Sequence, residues 1–513
     1  MIPPGLALII WIPCVAMMFS SLRPMRAVAL AYLIGWLLLP VYEINIKGFW
    51  DIDKVIATNF GVMAGIFLFC PQAVRQYRFH PADALLVLYC FASFIASIDN
   101  DLGLHDGVSR FCQEFFFFGA PYVAGRLFIR RREDITDVAR LIVVASAVYA
   151  MLAVWEWKMS PKIATTIYDV EFVHSWAQHR RWGFFRPILF FSHALGLGVF
   201  FAWTSFLGVW LYRAGELRRA IAVPPWVIAL APMILLPASL RLGVEIAVVA
   251  GALCVCWIGL ILYTAFSTPH AVKSIMLPCW AMIAASIGGL AALLLVGPGT
   301  IFVLGCGMLW FGDLMRTRFV PLLPVLFAVF WMGARYTNTT DGQWLISLVA
   351  SFSDRDKSLT YRIDAETVTI EHSRERALFG WGTWGRNRVY DESGNKEVSL
   401  DGLWLNTVSA TGLFGLTMFF LWWCWPLLIA VDVHRYIRGD PAIEAVLVAI
   451  SLQAMNFLFN DFLDPMLTLM SGFLITALAA TRFRAKNPPI MAIMPSQESS
   501  PRPATREPVA PIR

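Results

Sequence analysis

Charge is what this chain has least of. Of its 513 residues only 15% are Asp, Glu, Lys or Arg, against 58% hydrophobic, and the mean hydropathy is +0.63. A soluble protein carries about a quarter of its residues as charges, so a water-facing globular fold is excluded. Repeated strand-like alternation is missing too, which excludes a membrane barrel. The nine cysteines fall in apolar segments or at their edges, and none lies in the long polar stretch described below. There they act as small hydrophobes, which argues against a disulfide framework and against a zinc site. A Walker loop, a metal-ligand cluster and a Ser-His-Asp set are all lacking, so neither a metal nor a cofactor is expected. The N-terminus has no charged n-region and no small-residue cleavage site, and its first apolar run reads as a retained helix. No internal repeat points to a transporter built from two related halves.

What the chain does have is apolar runs close to the roughly 20 residues a spanning helix needs. "AVALAYLIGWLLLPVY", "ITDVARLIVVASAVYAMLAVWEW" and "GVEIAVVAGALCVCWIGLILY" are three of them. Spans are expected near 5–21, 27–42, 55–71, 82–98, 111–129, 135–157, 187–212, 223–240, 242–264, 275–297, 299–315, 319–334, 412–431, 443–460 and 465–481, with 299–334 holding one or two. The expected fold class is therefore all-α, a polytopic transmembrane bundle of about 12–15 spans with a large extracytoplasmic loop containing short amphipathic helices. Four parts follow: an N-terminal bundle, 1–334; a large loop, 335–411; C-terminal spans, 412–483; and a Pro- and Ser-rich tail, 484–513. Such a tail cannot bury enough apolar surface to fold, so disorder is expected there.

The net charge of +6 does not indicate nucleic acid. "SLRPMR", "RQYRFHP", "RLFIRRRED", "YRAGELRR", "MRTR", "VHRYIRGD" and "RFRAK" alternate along the spans onto one face, which the positive-inside rule makes cytoplasmic. "DNDLGLHDG", 158–186, "SLRLG", "GPG", 335–411 and "NDFLD" fall on the other face. This predicts an inner-membrane protein with its large loop outside and its C-terminus in the cytoplasm.

The outer face gathers the polar chemistry. "HRRWGFFRPILFFSHALGLG" brings Arg180, Arg181, Arg186 and His193 to the outer end of a span. Arg186 precedes Pro187, which suits the first turn of a helix, and His193 lies two turns further in. For Arg180 and Arg181 snorkelling anchors are an equal reading. His193 should face the bundle or a wet cavity rather than lipid, and a buried structural hydrogen bond is its plainer role. Arg241 sits in the turn "SLRLG", where an arginine needs a counter-charge; Glu245 is its plain i,i+4 partner. In the large loop "LISLVASF" reads as interfacial and 361–379 as a helix carrying Arg362, Glu366, Ile370 and Arg374 at i,i+4 spacing. Arg362 would open that helix, where a cation opposes the dipole. "GWGTWGR" follows, its glycines permitting a tight turn or close approach to a ligand. Asp401 stands before the next span, where Asp also serves as an N-cap. Arginine forks match phosphate oxygens, and a nearby carboxylate or imidazole can accept a proton from an attacking hydroxyl. The set suits a diphosphate leaving group presented from the membrane.

Over roughly 110–430, this pattern resembles the O-antigen ligase and O-antigen polymerase superfamily of bacterial inner-membrane glycosyltransferases. The resemblance rests on "SLRLG" with Arg241, on Arg362 standing ahead of the Gly380–Gly382 "GWG", on "DGLWLNTVSATGLFG" with Gly412 and Gly415, and on the entry carrying Arg181 and Arg186. The family histidine of the large loop falls on Asp401 here, so Asp401, His193 or His372 would have to take its role. The resemblance implies metal-independent transfer of glycan from an undecaprenyl-diphosphate-linked oligosaccharide to an acceptor hydroxyl, on a glycan or a lipid, in O-antigen or exopolysaccharide biosynthesis. Arg186, Arg241 and Arg362, with Arg181, would hold the diphosphate; Asp401 or His193 would act on the acceptor. Expected partners are membrane lipids and polysaccharide export or assembly proteins. Two other classes fit the composition: a transporter or flippase, which needs polar groups at mid-membrane, and a non-catalytic scaffold of a secretion complex.

Overall fold

Proline stands at the start of helix after helix in the computed structural model of this chain: Pro4, Pro24, Pro81, Pro441 and Pro465 are each a first helical residue. Its fixed φ suits the first turn, where its missing N–H is not needed. The structure describes residues 1–46, 51–129, 131–170, 180–181, 184–217, 298–315, 318–350, 356–390, 398 and 401–486. The spans expected at 223–240, 242–264 and 275–297 lie outside these residues, as do Arg241 and nearly all of the tail.

Within the described residues the chain is an all-α polytopic bundle. Its helices are α1 (Pro4–Ser21), α2 (Pro24–Leu38), α3 (Lys54–Phe69), α4 (Pro81–Asp99), α5 (Gly103–Glu114), α6 (Ala120–Phe128), α7 (Arg132–Met159), α8 (Ala194–Arg213), α9 (Pro298–Met315), α10 (Leu323–Tyr336), α11 (Gln343–Ala350), α12 (Asp356–Glu375), α13 (Leu403–Ile437), α14 (Pro441–Asn456) and α15 (Pro465–Lys486), with one-turn pieces between some of them. Six of these, α1, α4, α7, α8, α13 and α15, contain segments long and apolar enough to cross a membrane. Shorter apolar helices stand beside them. By length and composition this is a membrane protein. The described β-structure amounts to one two-residue ladder, Arg180–Arg181 against Phe184–Phe185, and isolated bridges.

Three helix expectations are corrected. The span expected over 111–129 is interrupted by a π-helical turn, Phe115–Gly119, where the backbone carbonyl of Phe116 accepts from the Asn59 side chain. The span expected over 187–212 begins only at Ala194. Arg186 to His193 form an irregular turn whose Ile188 and Leu189 amides donate to the Glu156 carboxylate at 3.0 and 2.8 Å. One carboxylate thus satisfies backbone donors that a helix would have satisfied internally. The loop helix starts at Asp356, so Arg362 lies in its second turn and does not open it.

Close packing rests on small residues and aromatic rings. α6 and α15 meet backbone to backbone: a Cβ on Gly125 would lie 2.3 Å from the Leu469 carbonyl oxygen, and one on Gly472 would lie 2.2 Å from that of Tyr122. Helices in lipid gain little from hydrophobic exclusion, so such close approach carries much of their association. Beside this crossing, Phe118, Tyr122, Phe419, Trp422, Trp423 and Phe457 form a buried aromatic cluster.

Candidate active site at the polar-loop end of the bundle

The large loop is fastened to the bundle through its glycines. α13 breaks at Gly412 (φ 66°, ψ −170°), and the chain from Ala377 to Gly382 fills the break. Trp381 and Gly382 donate to the carbonyls of Ser409 and Ala410 at 2.8 and 3.0 Å. Leu413 and Phe414 donate to those of Ala377 and Leu378 at 2.8 and 3.1 Å. Gly380 (φ 74°) and Gly382 (φ 78°) adopt the left-handed conformation this requires. Asn100, just beyond α4, donates to the Gly380 carbonyl at 3.0 Å. The two glycine motifs noted in the sequence are therefore two halves of one joint.

That joint holds α12 against α13. Arg335 of α10 is buried and holds α12 in place: its Nε donates to Glu366 Oε1 at 2.8 Å, and its Nη2 donates to the Ile363 carbonyl and Thr367 hydroxyl. From α12 Arg362 reaches two acceptors. Its Nε lies 3.2 Å from Asp401 Oδ2, and its Nη1 donates to the Phe459 carbonyl at 3.2 Å. Both side chains of the pair are partly exposed, at 31% and 40%.

Two cavities have Phe117, Asp461 and Leu463 in common, and neither is lined by Arg362 or Asp401. The first, about 270 Å³, is lined by Tyr89, Arg110, Glu114, Asn406, Thr407 and Thr411 among others. Arg110 Nη2 lies 2.6 Å from Glu114 Oε1, and Glu114 Oε2 accepts from the Tyr89 hydroxyl at 3.1 Å. The second, about 240 Å³, is lined by Trp36, Glu43, Asp53, Lys54, Phe191 and Asp464 among others. Lys54 donates to the carbonyls of Trp36 and Phe190 at 2.9 and 2.6 Å, and its ammonium sits 4.4 Å from the Trp36 ring centroid.

Asp461 stands between the two. Asn406 Nδ2 donates to its Oδ2 at 3.2 Å, and Asn387 Nδ2 in turn donates to Asn406 Oδ1 at 2.9 Å. Asp461 has solvent-accessible surface, but it also lines both cavities. Closely surrounding protein therefore pushes its carboxyl up to about 6; Glu114 adds to the rise and Asn406 opposes it. Asp464 is likewise pushed up to about 6 by burial, against the hydrogen bonds from Met466 N and Trp203 Nε1.

Of the residues singled out from the sequence, the structure joins Arg362 to Asp401. His193 caps α8, its Nδ1 accepting from Leu195 N at 3.0 Å, and its ring stacks on Phe462 at 5.8 Å. Arg186 is buried at the start of the irregular turn and lines neither cavity. Arg181 pairs through its backbone with Phe184. His372 packs flat on Trp381, centroids 4.5 Å apart. Sequence reasoning missed Asp461, Asn406, Asn387 and the Arg110–Glu114 pair. The signal for Asp461 was present in "NDFLD", a twice-acidic connection between two apolar runs. No known family model matches the chain, and no curated protein matches it.

Proposed function

We propose that this protein is a membrane glycosyltransferase of the O-antigen ligase and polymerase kind. It would transfer glycan from an undecaprenyl-diphosphate-linked donor to an acceptor hydroxyl in surface polysaccharide biosynthesis, with the large loop on the periplasmic side of a bacterial inner membrane. The observation that carries the reading is an arginine close to a carboxylate that lines two cavities: Arg362, paired with Asp401, donates to the Phe459 carbonyl two residues before Asp461.

In this reading the donor's diphosphate lies at Arg362, and its glycan enters the first cavity. Attack by the acceptor oxygen on the anomeric carbon forms the new glycosidic bond and breaks the bond from that carbon to the diphosphate oxygen. The acceptor's proton passes to the Asp461 carboxylate, whose raised affinity for protons suits a general base. The charge left on the diphosphate is met by the Arg362 fork, with Arg110 in the wall of the first cavity. Asp401 is engaged with Arg362 and serves to aim it, which favours Asp461 over Asp401 and His193 as the proton acceptor. A carrier with a long lipid tail enters sideways from the bilayer, consistent with a site at the end of the helices.

The test is direct. Full-length protein in nanodiscs is given an undecaprenyl-diphosphate oligosaccharide pool in EDTA, and both extended glycan and released undecaprenyl diphosphate are measured. Matched appearance of the two supports the proposal. Folded protein that binds the donor but produces neither would favour the scaffold reading.

A further inference from the structure

At the opposite end of the bundle a second polar recess forms, unconnected with the proposed transfer. α7 is a 28-residue helix, about 40 Å long at 1.5 Å per residue. Its far end carries Glu156, which satisfies the turn that lines the second cavity. Its near end carries Arg131 and Arg132, one membrane thickness away.

There Arg132 ties three helices together. Its guanidinium donates to the Tyr436 carbonyl at the end of α13 and, at 2.9 Å, to the buried Thr481 hydroxyl of α15. The recess between these helix ends has a volume of about 500 Å³ and is lined by Arg131, Arg132, Arg484, Glu133, Tyr436 and Thr481. Three guanidinium groups face one carboxylate. Among the described residues, neither Arg131 nor Arg484 lies within ion-pair distance of a carboxylate, whereas neighbouring Arg482 is paired with Asp432 at 2.7 Å. Tyr436 in the recess lining and Phe483, next to Arg484 in the chain, are 53% and 69% exposed. Exposed aromatics of this kind mark the boundary between headgroups and acyl chains.

We infer that this recess binds the phosphate of an anionic phospholipid headgroup. Basic residues flank helix ends in any polytopic protein simply because of its orientation. Here, however, they converge from two helices on one concave site whose walls a third arginine, Arg132, ties together. Guanidinium forks match phosphate oxygens, the aromatic flank meets the acyl chains, and basic recesses between spans are a recurrent site for anionic lipid headgroups. A soluble phosphate offers the same oxygens without the chains.

The experiment is native mass spectrometry of the full-length protein in detergent, titrated with phosphatidylglycerol and with phosphatidylcholine of the same chains. The wild type should retain phosphatidylglycerol preferentially. The double variant Arg131→Gln, Arg484→Gln should lose about tenfold in that affinity, with phosphatidylcholine binding unchanged. The variant Arg23→Gln, Arg26→Gln removes the same charge from another basic connection and should bind as wild type. Arg484→Gln alone, on an exposed helix end, should lose about threefold and keeps the test valid if the double variant unfolds. Equal loss from the Arg23, Arg26 control, or no loss from Arg484→Gln, would overturn the assignment. So would displacement of the lipid by an equal concentration of inorganic phosphate.

Discussion

Gly380 and Gly412 face one another across the joint between the large loop and α13, each in a left-handed conformation and each against the other strand's backbone. A Cβ on Gly380 would come 2.5 Å from the Ala410 carbonyl carbon; one on Gly412 would come 2.3 Å from that of Leu378. Because the obstacles are main chain, neither can swing aside as a side chain could. The loop that carries Arg362 is therefore positioned by two glycines that make no contact with Arg362 or Asp461 in the hydrogen bonds and ion pairs described above.

Gly412→Ala should accordingly destabilise the protein by at least about 2 kcal/mol, from the backbone conformation and the clash together. Gly333→Ala is the control: it lies in α10 with ordinary φ and open space around its would-be Cβ, and should be neutral or slightly stabilising. Thermal unfolding in detergent checks both, and equal melting temperatures for the two would refute the joint's role.

The Arg335–Glu366 pair supplies a second prediction. Both side chains are almost fully buried, at 4% and 6% exposed. Arg335→Ala leaves Glu366 as an unpaired buried carboxylate and should cost about 3–5 kcal/mol. Replacing both, Arg335→Met with Glu366→Leu, should restore most of that loss. Hydrogen exchange of residues 356–375 is the readout, with protection lost in the single variant and recovered in the double.

The raised proton affinity of Asp461 gives a pH dependence. Its folded-state value of about 6 lies above its ordinary value of 3.8, so the native state binds the proton more tightly than the unfolded chain. This stabilising contribution is fully present below pH about 4 and is lost as pH rises through about 6. Relative to Asp461→Asn, the wild type should therefore lose stability between those values on going up in pH. Transfer should run the other way: a general base must be ionised, so the rate should rise through pH about 6. Stability curves that stay parallel from pH 4 to 7 would show that Asp461 does not bind its proton as described.

The bundle was legible in the sequence because long apolar runs and helix-opening prolines mark the same places; Pro4, Pro24, Pro81, Pro441 and Pro465 all sit where hydropathy rises. The turn at Arg186–His193 was not legible. "PILFFSH" is almost wholly apolar, so hydropathy reads a helix, while the carboxylate that stabilises the turn comes from Glu156 on another helix. The π-turn at Phe115–Gly119 leaves no trace in composition either. At the candidate site, Arg362 was picked out as a cation poorly suited to a helix's first turn and Asp401 as a carboxylate ahead of a span that could equally be an N-cap, and the two meet. Asp461 was passed over because acids in a short connection read as solvated; only the fold reveals the cavities on either side of it.

The most direct test of the central claim is single-turnover glycan transfer by the nanodisc-embedded protein, comparing wild type with Asp461→Asn and with Arg362→Lys at saturating donor. The account predicts transfer by wild type, a loss of about a hundredfold or more in Asp461→Asn, and a loss of about tenfold or more in Arg362→Lys, which keeps the charge but not the fork. Wild-type rates in both variants, with folding intact, would contradict it.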